Sequence, residues 1–357
     1  MEFYPLKVSH IEHLTADSVR VDFHSSQLVS EDYNYKSGQY LVFEYEIYGE
    51  TVRRSYSLCS SPEENTISIG IKVVPGGVFS TYAKNELQVN DVVMASLPQG
   101  NFVNKMETEA DMHFVFFAAG SGITPILSMI KSTLSLSPDS QVTLFYGNKN
   151  VRSIMFLEEL EALKNLFVER LQVFHLLSRQ PQESETFNGR IDRQKLDLWI
   201  PTCFDTGKVD QYFLCGPEEM IMDVRDGLFD LGIKSDQVYF ELFTTNEGKK
   251  ARKERQERQE ETVSSKTMEI VLDGKTVLMD FRKDDDNILD KALLQGADLP
   301  FACKGGVCCT CKAKLVSGEA KMYVNYGLEH DEIERGYILT CQSYPISDHV
   351  VVSFDAM

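Results

Sequence analysis

Cys303-Lys304-Gly305-Gly306-Val307-Cys308-Cys309-Thr310-Cys311, followed by Cys341 after 29 intervening residues, is the stretch around which the chain can be organised. Thiolates at Cys303, Cys308, Cys311 and Cys341 have the plant-type spacing that satisfies the two irons of a [2Fe-2S] cluster. Gly305 and Gly306 let the backbone wrap closely, with its N–H groups toward the sulfides. A zinc site is the alternative, although zinc knuckles favour two matched Cys-x2-4-Cys pairs and these spacings are unequal. Cys309 is surplus and reads as an inert small side chain beside the cluster or, less favoured, as an oxidisable thiol. Cys59, Cys203 and Cys215 are scattered, so the eight cysteines do not form the framework of a small disulfide-stapled scaffold.

Upstream, Asp273-Gly274 between Glu269-Ile270-Val271-Leu272 and Lys275-Thr276-Val277 predicts a hairpin that opens the domain carrying these cysteines. Residues 247–261 hold six basic and five acidic residues in fifteen, the composition of a solvated linker. The whole chain has 357 residues and a formal charge of −18, enough for two or three domains. That acidity repels phosphate backbones, so nucleic-acid binding is not expected. The first residues, Met1 to His13, lack a basic segment followed by an apolar run, so no secretory signal is read and a cytoplasmic protein is expected.

Two further textures precede the linker. Ser18-Val19-Arg20-Val21-Asp22-Phe23, Tyr40 to Tyr45 and Thr66 to Ile71 alternate with period two, as in an antiparallel barrel. From Met112 onward, buried runs at Phe114 to Phe117, Val142 to Tyr146 and Tyr212 to Leu214 alternate with helical patterns such as Phe156 to Leu166, which predicts a doubly wound α/β domain. Met112 to Ile130 is free of charged residues but is broken by Gly120-Ser121-Gly122 and Thr124-Pro125. It reads as strand, tight loop and helix starting near Pro125, and no membrane span is expected.

These textures carry their own motifs. Arg54, Tyr56 and Ser57 in Arg54-Ser55-Tyr56-Ser57 supply a phosphate-pairing cation, an aromatic face and a hydroxyl. Gly76, Gly77, Val78 and Ser80 in Gly76-Gly77-Val78-Phe79-Ser80 offer a strand-to-helix turn suited to pyrophosphate. Gly120, Gly122 and Thr124 follow a buried strand and open a helix, as a phosphate-cradling loop requires. Cys215, Gly216 and Pro217 follow a later strand. Ser178 and Arg179 are placed to hold a 2′-phosphate, and no acid at Tyr146-Gly147-Asn148-Lys149 claims a free ribose hydroxyl, which favours NADPH over NADH. Glu241-Leu242-Phe243 reads equally as a strand end and as a segment beside the site.

Asp286 to Asp290, Gly296 to Cys308, Asn325-Tyr326 and Gly336 to Gln342 together resemble the ferredoxin-bearing reductase family of phenylacetyl-CoA epoxidase. Arg54-x-Tyr56-Ser57 and Gly120-x-Gly122-x-Thr124-Pro125 are similar to the signatures of the ferredoxin-NADP reductase superfamily. The resemblance spans essentially the whole chain. It implies a flavin-binding β-barrel at 1–106, an NAD(P)-binding α/β domain at 107–246, a linker at 247–266 and an α+β β-grasp ferredoxin domain at 267–357. It also implies FAD rather than FMN, NADPH as donor, and Ser57 and Cys215 at the reacting rings. Electrons would pass singly through the cluster to a multi-subunit di-iron oxygenase. Reduction of another oxygenase (steroid, alkane or ring-hydroxylating) is the close alternative, and a zinc-containing nucleotide-binding module is a third reading.

Overall fold

The computed structural model describes residues 2–24, 34–64, 66–103, 111–243, 266–282, 285–297, 299–301 and 304–356. Cys303, the charged segment 247–261 and the expected domain limit at 106 lie outside them. The chain divides into two compact units, Glu2–Glu241 and Leu242–Met357.

The first half of Glu2–Glu241 is an antiparallel sheet of β1 (Tyr4–Thr15), β2 (Ser18–Phe23), β3 (Tyr40–Ile47), β4 (Glu50–Ser57), β5 (Ile67–Lys72) and β6 (Val92–Ala95), in the order β4-β3-β6-β1-β2-β5. A bridge between Leu58 and Ile69 joins the two edges and closes the barrel. Alternation decides which side chains fill it. Val19, Val21 and Phe23 are at most 2% exposed, while Arg20 and Asp22 between them pair on the outer face at 2.7 Å. Each such apolar side chain contributes roughly 1.5–3 kcal/mol by leaving water. One helix, α1 (Val78–Asn85), packs Phe79 and Ala83 against this core.

The second half is a five-stranded sheet of β7 (His113–Ala119), β8 (Gln141–Asn148), β9 (Leu171–Leu177), β10 (Gln211–Gly216) and β11 (Val238–Leu242), ordered β11-β10-β7-β8-β9. The pairs from β10 to β9 are parallel. Strand order reverses between β7 and β10, so the connections leaving their C-terminal ends diverge and open a crevice. The uncharged run resolves into β7, a 3-10 turn at Gly120–Gly122 and α2 (Ile123–Leu136). The helix starts two residues before Pro125, because the first turn has no intrahelical N–H bond for proline to break. No helix among the described residues is long and apolar enough to cross a membrane.

An ionic cluster ties the barrel to the α/β sheet. Lys131 of α2 is 7% exposed and sits between Glu159, which lies on α3 (Leu157–Leu166), and Glu64 Oε1 at 3.1 Å, after β4. Burial opposes the lysine charge, but Glu159 and Glu64 outweigh it and hold the ammonium form. Arg20 reaches Glu159 from the barrel at 3.5 Å. Ser128 and Ser132 of the same helix donate to Ser60 O at 2.6 Å and Glu63 Oε2 at 2.7 Å.

The unit Leu242–Met357 is a mixed sheet of β12 (Lys266–Leu272), β13 (Lys275–Phe281), β14 (Lys312–Ser317), β16 (Tyr337–Leu339) and β18 (His349–Ser353), with β15 (Ala320–Met322) and β17 (Ser343–Pro345) forming a separate pair. Strands β12 and β18 run parallel at its centre, and the hairpin turns at Asp273 and Gly274 with φ of 52° and 69°. The helix Ile288–Leu294 buries Ile288, Leu289 and Ala292 against this sheet, completing a β-grasp.

Candidate functional site

Strand period places Arg54 and Tyr56 on one face of β4 and Ser57 on the other. Arg54 is exposed, with Nη1 on Arg53 O at 2.6 Å. Tyr56 rests its ring on Phe79 at 5.4 Å and Phe43 at 6.2 Å between centroids. Burial raises its phenol pKa despite the nearby Arg54 charge, so the hydroxyl keeps its proton. The Ser57 hydroxyl is nearly buried and donates to Glu241 Oε2 at 3.4 Å.

Glu241 reaches this position from the penultimate residue of β11, and its charge also acts on Cys215 of β10. Cys215 is fully buried, and burial first, then Glu241, pushes its thiol well above the usual range. It is therefore a neutral thiol rather than a nucleophilic thiolate. Ser57, Cys215 and Glu241 thus come from three strands to one edge of the crevice. Sequence reasoning left Glu241 open, because an acid at a strand end is ordinary and only the pairing of β11 with β10 carries it to Ser57.

The Gly120–Gly122 turn follows the C-terminal end of β7, where the strand order reverses. Gly120 takes φ +56°, and its carbonyl accepts from Tyr146 Oη at 2.9 Å. A Cβ at Gly122 would lie 2.1 Å from Cys215 O, so only glycine lets this turn meet the end of β10. Thr124 donates to Ser121 O at 3.0 Å, and its methyl fills the space over Gly70 of the barrel. Gly216 packs against Ala119, and Pro217 caps the helix Glu218–Asp230.

The other expected phosphate positions differ in what their side chains do. Gly76 has φ +76° and Gly77 stands at the N-cap of α1, with Val78 its first residue. Ser80, however, accepts from Val74 N at 3.2 Å and donates to Gly77 O at 3.4 Å, so its hydroxyl holds the turn together. Ser178 and Arg179 are exposed just past β9, and their N–H groups bond Asn148 O and Lys149 O at 2.9 and 2.8 Å. They lie at the C-terminal edge of the sheet, the same end as Gly120.

In the C-terminal unit, Cys311 and Cys341 are at most 3% exposed and Cys308 is half-buried. A hydrogen bond with Cys311 first, then burial and the nearby Cys308, pushes the Cys341 thiol well above its usual range. The connecting loop coils through positive φ at Lys304 (51°), Gly306 (79°) and Cys309 (55°). The Gly306 N–H bonds Cys341. Among the described residues no three Cys, His, Asp or Glu side chains are grouped to hold a metal ion, and what suits an iron–sulfur cluster is the contact between Cys311 and Cys341, the coiled backbone and the Gly306 N–H. Cys309 places its Sγ 4.0 Å from Val307 O and against Gly327, and burial first, then Cys308, pushes its thiol up to about 12.

Comparison with known proteins adds the following. The family described as "Oxidoreductase FAD-binding domain" matches residues 5–104, "Oxidoreductase NAD-binding domain" matches 116–226, and "2Fe-2S iron-sulfur cluster binding domain" matches 270–345. The chain is 38% identical to a subunit of the 1,2-phenylacetyl-CoA epoxidase of Escherichia coli K12, over 99% of this chain and 98% of that protein. It is 34% identical to the 3-ketosteroid-9-alpha-monooxygenase ferredoxin reductase component of Mycobacterium tuberculosis H37Rv, over 85% and 81%. Phthalate dioxygenase reductase, a solved structure with 22% identity, superimposes with a TM-score of 0.62 over 99% of this chain and 98% of that one, and shares its fold.

Proposed function

The chain belongs to the reductase family that includes this 1,2-phenylacetyl-CoA epoxidase component and the 3-ketosteroid-9-alpha-monooxygenase reductase component, and from that premise we propose that it carries electrons from NADPH to a multi-subunit di-iron oxygenase that epoxidises phenylacetyl-CoA. It is an oxidoreductase with FAD-binding, NAD-binding and 2Fe-2S domains in that order. When bound, the flavin accepts a hydride and the cluster carries one electron at a time. The protein's part is to bind, orient and hold protons.

Arg54 pairs with the flavin phosphate, Tyr56 covers the ring, and the Gly76-Gly77-Val78 turn with Ser80 shapes the pyrophosphate seat. Gly120, Gly122 and Thr124 form the nicotinamide nucleotide's phosphate loop, with Gly216 and Pro217 keeping the facing strand end close. Ser178 and Arg179 receive a 2′-phosphate, which selects NADPH. Cys215 is an uncharged wall for the nicotinamide ring, and Ser57, bonded to Glu241 Oε2, is the proton-bearing group of the crevice. Cys303, Cys308, Cys311 and Cys341 hold the cluster. Residue limits of 1–106, 107–246, 247–266 and 267–357 for barrel, α/β domain, linker and ferredoxin complete the reading. A cytoplasmic setting suits free thiols of this kind.

The observation that carries the reading is the meeting of Ser57, Glu241 and Cys215 beside a glycine turn at the strand-order reversal. Its test is reconstitution with purified oxygenases, scored by NADPH-dependent product. Product with the phenylacetyl-CoA epoxidase is expected, and turnover confined to a steroid or ring-hydroxylating oxygenase would reassign the partner.

A further inference from the structure

Gln342 follows the last cysteine of the cluster pattern, is 1% exposed, and touches both halves of the thiol site. Its Nε2 donates to Lys304 O at 2.8 Å and lies 3.8 Å from Cys341 Sγ. The Lys304 carbonyl can only accept, so it fixes which end of the amide faces the loop, and the N–H near sulfur follows from that. The other end, Oε1, is buried without a hydrogen-bond partner among the described residues. Leaving a buried carbonyl unpaired is costly. A fold that tolerates this cost holds the amide in place for what its nitrogen does.

The packing also fixes the side chain. A Cβ on Gly306 would come within 2.9 Å of Gln342 Cγ, so glycine at 306 leaves room for the glutamine stem. Its own carbonyl accepts from Tyr323 N at 2.7 Å, anchoring the residue to the segment that follows β15. Gln342 therefore bridges Lys304, which neighbours Cys303 in sequence, to the Cys341 sulfur.

We propose that Gln342 is a positioning residue that tunes the iron–sulfur cluster: its amide N–H stabilises negative charge on Cys341 sulfur and so raises the cluster's reduction potential. The inference rests on the assignment of Cys303, Cys308, Cys311 and Cys341 as cluster ligands. Hydrogen bonds to cluster sulfurs favour the reduced state, which carries one more negative charge. Gln342→Met keeps the length and removes both N–H donors, and Gln342→Ala removes the side chain. The measurements are iron and labile sulfide content and the midpoint potential of the intact protein, with flavin reduction by NADPH as the control. The expected result is full iron and sulfide in Gln342→Met, a more negative midpoint potential in every variant that retains the cluster, and an unchanged rate of flavin reduction. A loaded Gln342→Met with the wild-type potential would overturn the proposal, as would loss of iron from both variants, which assigns a purely structural role. Wild-type protein without iron and labile sulfide would instead defeat the ligand assignment itself.

Discussion

The turn at Gly120–Gly122 and the thiol loop from Lys304 to Cys311 each shape a cofactor seat, but they are held differently. The first is pinned by regular elements: β7 and β10 pair in parallel through Cys215 and Ala118, and the turn lies so close to Cys215 O that no side chain fits at Gly122. The second belongs to no strand or helix. Separate contacts hold it, among them Gln342 to Lys304 O, Tyr326 N to Gly306 O at 3.0 Å and Lys304 to Asp290 at 2.6 Å. A seat built from a ladder exists before its ligand arrives, whereas a loop of isolated contacts draws much of its rigidity from the metal it binds.

Breaking the second seat has the largest expected effect. Cys311→Ser should abolish electron delivery to the oxygenase and the iron content, while NADPH-driven reduction of ferricyanide by the flavin persists. Chelation of iron should likewise lower the unfolding temperature of the C-terminal unit and leave that of Glu2–Glu241 unchanged in calorimetry. Equal loss in both units would erase the contrast between the two seats.

Gly122→Ala sharpens the contrast from the other side. The added methyl meets backbone at 2.1 Å, which cannot rotate away, so destabilisation of roughly 1–3 kcal/mol and a raised KM for NADPH are expected with iron content intact. Denaturant unfolding and steady-state kinetics check both. Lys131→Met comes next. It takes the cation from Glu64 and leaves Glu159 with Arg20 alone where barrel meets sheet, with a cost of about 1–3 kcal/mol, moderated because Glu64 is 37% exposed.

Much of this was legible in sequence because it depends on local pattern. Period-two alternation marks β2, the Asp273-Gly274 pair marks the hairpin of β12 and β13, and the glycines at 120 and 122 mark a turn between a buried strand and a helix. Glu241 was not legible as a partner of Ser57, since the two are 184 residues apart and only strand order joins them. The bonds of Ser80 to Val74 N and Gly77 O were not legible either, since a hydroxyl beside glycines does not announce that it also holds its own turn. Gln342 showed only as the end of the Gly336 to Gln342 segment that carries the family resemblance, because the target of its amide, Lys304 O, lies in another loop. The extra thiol, Cys309, is explained by space, its sulfur tucked against Gly327.

The narrowest prediction concerns pH dependence, because it shows only in alkali. Burial pushes Cys59, which is 1% exposed just after β4, from 9.0 up to about 12 against the pull of Lys131 and Arg20. A raised folded pKa means that its stabilising contribution is complete below about pH 9 and is lost as pH climbs toward 12, by at most ~1.4 kcal/mol per unit. Cys59→Ala should flatten the alkaline limb of a stability-versus-pH curve while leaving the acid limb unchanged.

The most direct measurement is an anaerobic visible absorption spectrum of the purified protein before and after one equivalent of NADPH. Flavin bands over a broad [2Fe-2S] envelope, both bleached by NADPH, are predicted. A protein that stays colourless after reconstitution with flavin, iron and sulfide would contradict the electron-transfer account and favour a zinc-holding, nucleotide-binding module.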